Sequence, residues 1–135
     1  MYAASVLKSM LGQATTGVIP QELLTTDRIM QRWAVANGCG LPTERWDDSR
    51  VSRVPPLDDD TALVVDRIVL TCPPKTNKII VLWYCKPLPT VEIAKLAGMS
   101  PRSLERAWGL SLNFLKYRFE GTNNVTLLKL LRVHV

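Results

Sequence analysis

Apolar residues recur at helical spacing over most of the chain. Thr26 can cap a helix running to Ala36, with Ile29, Met30 and Trp33 on one face and Asn37–Gly38 as its stop. Behind Asp58–Asp59–Asp60, Ala62, Val65, Ile68 and Val69 mark a second helix that stops at Cys72–Pro73–Pro74. Three carboxylates favour the positive N-terminus of a helix dipole, and one can cap it. Consecutive acids without companions read as a cap rather than a metal-binding cluster. The two prolines then open a third helix through Ile79, Ile80, Leu82 and Trp83 to Lys86–Pro87. Two further helices follow around a turn. One covers Thr90–Ala97; the other starts at Ser100–Pro101 and extends to Phe119, with Gly109 as a point of interruption. Gly121–Thr122–Asn123–Asn124 is a turn. In the tail, Val125–Val135, leucines alternate with Lys129 and Arg132 in a period that fits a helix or a strand.

The expected fold is all-α. Five or six helices from about Thr26 to Phe119 enclose a core containing Ile29, Trp33, Val65, Ile68, Ile80, Trp83, Ile93, Leu104 and Leu115, and an apolar-basic tail follows. The first twenty residues have weak periodicity, broken at Thr15–Thr16–Gly17 and stopped at Pro20. Ala3–Leu11 reads as a short helix or as a segment without fixed structure. Gly38 to Pro56 is a long connection carrying Arg45, Trp46, Arg50 and Arg53, and loops of this length are uncommon without a function. The chain thus divides into an N-terminal helical segment with a Pro-rich loop (1–57), a two-helix-unit domain (58–120) and a tail (121–135).

Composition narrows the function classes. A chain of 135 residues with 47% apolar content folds as one ordinary domain or two small lobes sharing a core. No apolar run approaches the roughly 18–20 residues needed to span a bilayer. The start, Met1 to Lys8, lacks the features of a secretory leader, so a cytoplasmic protein without membrane partners is expected. Cys39, Cys72 and Cys85 form no CxxC pair, and His134 is the single histidine. A zinc site needs about four clustered ligands, so the cysteines read as buried free thiols and no metal or cofactor is expected. There is no phosphate loop, nucleophile motif or His/acid set, which argues against an enzyme and against a small-molecule substrate.

Charge changes the picture. The net +5 is uneven: residues 1–72 carry 7 basic and 9 acidic side chains, and residues 73–135 carry 10 basic and 3 acidic. A basic half joined to a slightly acidic one points to a polyanion at one end, or to no more than a solvated basic face. Within the basic half, Thr90–Gly109 has the spacing of a helix-turn-helix. Ala94 sits where two helices would cross, Gly98 falls in the turn where φ > 0 is needed, and Ile93, Ala97, Met99, Leu104 and Ala107 take the core-facing positions. Ser100 caps the second helix and Pro101 takes its first turn. Arg102, Ser103, Glu105 and Arg106 are left for the outer face, where the start of a recognition helix meets base edges. Arginine can pair with guanine O6 and N7, and glutamate can accept from cytosine N4. Ser100, Pro101 and Ser103 lie at the free N–H groups that suit phosphate, and Lys95, Lys116 and Arg118 are candidate backbone contacts. The alternative is an αα-hairpin that touches no nucleic acid.

The stretch Pro73 to Ala107 resembles region 4 of sigma factors, through Leu82–Trp83–Tyr84, Glu92–Ile93–Ala94, Gly98–Met99–Ser100 and Ser103–Leu104. The resemblance covers about half the chain and implies a DNA-binding helix-turn-helix. The chain is too short for the region of sigma factors that reads and melts the −10 element. Its size, its Gln31–Arg32–Trp33–Ala34 segment and its Pro-rich loop resemble the phage antitermination protein Q family, although the cysteine spacing of zinc-containing members is lacking. That resemblance implies a factor in a bacterial host cell that binds double-stranded DNA at a phage late promoter, joins RNA polymerase and suppresses pausing and termination. Trp33, Arg45, Trp46, Leu127, Leu128 and Leu131 are then candidates for the polymerase-facing surface, with the core as the alternative place for the aromatics and leucines. A simple helix-turn-helix activator or repressor, and a polymerase-binding adaptor without DNA specificity, are the competing readings.

Overall fold

The computed structural model describes residues 21–39 and 54–132. Among them are six helices and no strand. They are α1 (Gln21–Ala36), α2 (Asp59–Leu70), α3 (Pro74–Cys85), α4 (Thr90–Ala97), α5 (Pro101–Glu120) and α6 (Val125–Leu131). The fold is all-α, and all nine core residues named from the sequence are buried. Ala3–Leu11, Arg45 and Trp46 lie outside the described residues.

Helix α1 starts five residues before the expected Thr26. Its buried side runs through Leu23, Thr26, Asp27, Met30, Trp33 and Ala34. Three polar residues, Thr26, Asp27 and Gln31, occupy core positions on α1, and the first two interrupt the apolar pattern, so the first turns do not read as amphipathic. Thr26 is not a cap but a mid-helix core residue whose hydroxyl is buried without a hydrogen-bond partner. At the other end Gly38 takes φ +75°, and the Cys39 N–H reaches back to the Ala34 carbonyl at 2.9 Å. A left-handed residue of this kind closes the orphan carbonyls of a helix end.

The Asp58 carboxylate caps α2, accepting from the Thr61 N–H at 2.8 Å and the Thr61 hydroxyl at 2.9 Å. The Thr61 N–H, then its hydroxyl, hold the Asp58 pKa below its ordinary value. Pro74 sits in the first turn of α3. The Asn77 amide donates to the Val69 carbonyl at 2.9 Å and ties the end of α2 to the start of α3.

Helix α5 is the spine. Its 20 residues extend about 30 Å, without a break at Gly109, which faces the buried side. Helices α1, α3, α4 and α6 all pack on it. Trp83 of α3 stacks on Trp108 of α5 with ring centroids 4.3 Å apart and planes 17° apart. Beside this pair runs a buried polar seam. The Tyr84 hydroxyl donates to Asp27 at 2.6 Å, Trp108 Nε1 donates to the Tyr84 oxygen at 3.0 Å, and the Gln31 amide donates to Asp27 at 2.9 Å. The seam joins α1, α3 and α5. A buried polar group is costly unless paired, so it favours the one arrangement of the three helices that makes all three bonds.

The open period of the tail resolves as a helix. Asn124 accepts from the Leu127 N–H at 2.7 Å and caps α6. Leu127 then enters the core between α5 and α1. The division at 57/58 and 120/121 does not separate cores: Leu23 and Trp33 of α1, Trp83 of α3, Phe119 of α5 and Leu127 belong to one cluster.

Candidate nucleic-acid interface

The unit formed by α4, a three-residue turn and α5 is set by local rules. Helix α4 ends at Gly98, which has φ +74°. A Cβ at Gly98 would meet nothing within 4 Å, so glycine is required there for its conformation and not for space. The Met99 N–H bonds to the Ala94 carbonyl at 3.0 Å and turns the chain. Ser100 Oγ accepts from the Ser103 N–H at 3.1 Å and caps α5, with Pro101 in the first turn. Ile93, Ala94 and Leu104 are fully buried between the helices, while Ala97, Met99 and Ala107 are half-buried at the edge of the contact.

Outside this contact, Ser100, Pro101, Arg102, Ser103 and Arg106 are exposed. Arg102 and Arg106 are one turn apart on α5 and share a side of it. Neither forms a salt bridge among the described residues. The Ser100 hydroxyl is engaged with Ser103, accepting from its N–H and donating to its hydroxyl at 3.0 Å. Glu105 departs from the expected outer face. It is half-buried, and one carboxylate oxygen is fully buried with no hydrogen-bond partner. Burial raises its pKa, and the nearby Arg102 guanidinium pulls it partly back. The reason is angular: Glu105 lies about 60° around the helix from the buried Trp108, whereas Arg106 lies about 160° from it.

The three candidate backbone contacts differ in how free they are. Lys95 is exposed on α4, 3.4 Å from Glu92. Lys116 pairs with Glu120 at 3.0 Å. Arg118 donates to the Thr71 hydroxyl at 2.9 Å and lies 5.9 Å over the Phe114 ring. It points towards the end of α2, about 120–160° around α5 from Arg106 and Arg102.

The partner-surface candidates are placed mostly inside. Trp33 is 5% exposed, and its Nε1 donates to Asp66 at 2.6 Å, so its side chain is part of the core. Leu127 is buried completely; Leu128 and Leu131 are half-buried. Exposed apolar side chains occur instead on α2 (Leu63, Leu70), α4 (Val91, Leu96), α6 (Val125) and the second half of α5. Leu110, Asn113, Phe114, Lys116, Tyr117 and Glu120 line an open depression of about 360 Å³, with Leu110 57% and Tyr117 76% exposed. The signal for it was present as Leu110, Phe114 and Tyr117 at i, i+4 and i+7, opposite Trp108, Leu112, Leu115 and Phe119. Among the described residues no helix is long and apolar enough to cross a membrane.

The arrangement can present two arginines from the start of a capped helix, with a basic side chain on the helix before it. No protein-family model matches the chain, and no curated protein or solved structure does either.

Proposed function

We propose that the chain is a sequence-specific double-stranded-DNA-binding transcription factor that uses α4 and α5 as a helix-turn-helix. Arg102 and Arg106 at the start of α5 would read base edges in the major groove, and Ser100, Ser103 and Lys95 would meet phosphates. The observation that carries this reading is the α4–turn–α5 unit itself: a left-handed Gly98, a Ser100 cap and a buried Ala94 leave the exposed arginines on one side of the second helix. The resemblance to the phage antitermination protein Q family extends the proposal. The factor would join RNA polymerase at a late promoter and carry it through pauses and terminators.

Two measurements test these layers separately. Selection from randomised duplexes should yield a preferred sequence, and its affinity should fall with salt because neutralised phosphates release counterions. With about 4–6 phosphate contacts the slope of log K against log salt is about −4 to −5. Transcription through a terminator, from a template carrying the selected site, should show readthrough that depends on the protein. A flat salt response sinks the DNA reading; binding without readthrough leaves a plain activator or repressor. The exposed Leu110–Phe114–Tyr117 surface favours the adaptor as second reading, in which α5 docks on a protein and DNA is not bound at all.

A further inference from the structure

One exposed side of α5 has a polarity from end to end. At about 100° per residue, Arg106, Asn113, Phe114 and Glu120 all lie within about 70° of a line between Leu110 and Tyr117. Arg106 stands at the basic end, with Arg102 one turn before it. Leu110 and Tyr117, 57% and 76% exposed, occupy the middle with the half-buried Phe114. Glu120 closes the stripe; it is exposed, with Lys116 on its outer flank at 3.0 Å. The other carboxylate of α5, Glu105, is half-buried on a different side. The stripe therefore runs from basic through apolar to acidic.

We propose that a second copy of this chain covers the stripe, in a twofold-symmetric dimer whose two α5 helices run antiparallel. The midpoint between Leu110 and Tyr117 falls between Asn113 and Phe114. From there Arg106 is about 11 Å away toward one end of α5, and Glu120 about 10 Å toward the other. A copy turned end for end about that midpoint sets Leu110 against Tyr117 of the second copy. It also sets Glu120 beside Arg106 of the second copy, on the same flank. Both contacts occur twice, as a twofold interface requires. The exposed Asn113 amides meet near the axis, where a polar pair fixes register.

Other occupants fit the stripe less well. A parallel copy would bring Arg102 and Arg106 against their own equivalents, and like charges across a contact are costly. A nucleic-acid strand laid along the apolar half would meet the Glu120 carboxylate. The antiparallel contact spans about four turns of one helix, at the small end of specific interfaces, so the dimer is a weak one that forms and dissociates. Arg106 is also the side chain proposed above to read DNA, so a duplex and the second copy compete for it. That competition rests on the DNA reading; the dimer does not.

The test is sedimentation equilibrium of the full chain without DNA, over about two decades of concentration into the high micromolar range where weak interfaces assemble. The mass should rise from one chain to two and stop there. Tyr117→Glu sets a carboxylate against Leu110 of the second copy and should weaken the dimer at least about tenfold. Glu120→Arg and Arg106→Glu should each weaken it about five- to tenfold, because each puts like charges together at two places. The two charge substitutions combined restore opposite charges across the axis and should recover the parent's constant to within about twofold. All three side chains are exposed, so the variants keep the core; if one misfolds, the mass curve of the unsubstituted chain decides alone. A mass of one chain throughout overturns the proposal and leaves the stripe to a different protein. An open-ended series of masses overturns it too, since it means head-to-tail contacts. So does a dimer that Tyr117→Glu leaves intact, or one that the double charge reversal does not rescue. None of these outcomes bears on DNA binding, which duplex titrations read separately.

Discussion

Helix α5 carries two different surfaces on one rod. Its first half bears Arg102, Ser103 and Arg106 around a serine cap. Its second half bears Leu110, Phe114 and Tyr117, with Lys116 and Arg118 beside them. Each half contributes two cations, but they are not equivalent. Arg102 and Arg106 stand clear of salt bridges among the described residues. Lys116 is held by Glu120, and Arg118 by Thr71 and the Phe114 ring. Charge counted along the sequence therefore overstates the positive surface open to a polyanion. Availability, not number, separates the half proposed to meet DNA from the half that exposes Leu110 and Tyr117.

Both halves rest on the same buried seam, and breaking it gives the largest effect expected. Tyr84→Phe deletes one hydroxyl but two buried bonds: Asp27 loses a donor at 2.6 Å, and Trp108 Nε1 loses its acceptor. The loss of stability should be about 2–4 kcal/mol, measured by urea unfolding. The surfaces themselves are untouched, so DNA affinity of the folded variant should stay within about twofold of the parent. Unchanged stability would mean that the seam does not set the position of α5.

The next effect separates the halves. Arg102→Ala or Arg106→Ala should weaken a selected duplex by about 1–3 kcal/mol and flatten sequence preference, because paired base contacts are lost. Lys116→Ala or Arg118→Ala should cost under about 1 kcal/mol, equally for selected and scrambled DNA. Competition binding with both duplexes checks this. If the two arginine variants lower both affinities alike, Arg102 and Arg106 touch phosphate. If only the second pair matters, the face assigned to DNA is the wrong one.

What could be read from the sequence follows from the distance between partners along the chain. The Ser100 cap, a cap from within Asp58–Asp59–Asp60 and the Gly98 turn involve residues no more than five apart, and each was visible before any coordinates. The Tyr84–Asp27 bond spans 57 residues and the Trp108–Tyr84 bond 24. Nothing local marks Asp27 as a core residue, and its polarity hid the first turns of α1. Trp33 illustrates the same limit: its spacing placed it correctly in the core, but its indole N–H partner, Asp66, is 33 residues away. On the candidate interface, helical spacing gave the side shared by Arg102 and Arg106. It did not show that Glu105 turns partly inward, because that depends on what packs against α5 beyond its own turn.

Glu105 gives the smallest and most specific effect. Its carboxylate lies between two arginines in sequence, partly desolvated, with one oxygen buried and unpartnered. Burial raises its folded-state pKa above the ordinary glutamate value, with Arg102 opposing. Above the raised folded-state pKa the side chain is charged both folded and unfolded, and the folded state carries the desolvation penalty. As pH falls through the raised folded-state pKa and then the ordinary value, the folded state takes up its proton first and the penalty disappears. Stability from this group is therefore fully present at low pH and lost as pH rises through that window. Glu105→Gln should melt higher than the parent at pH 7, with the gap closing as pH drops below the ordinary carboxylate range. The same substitution removes an anion beside Arg102, so DNA affinity at neutral pH should rise by roughly two- to fivefold, consistent with a weak exposed charge effect. A melting gap independent of pH would show that ionisation of the Glu105 carboxylate does not set the difference. A fall in affinity together with lost preference at one base pair would instead make Glu105 a reader of cytosine, and extend the DNA-facing half of α5 inward by one side chain.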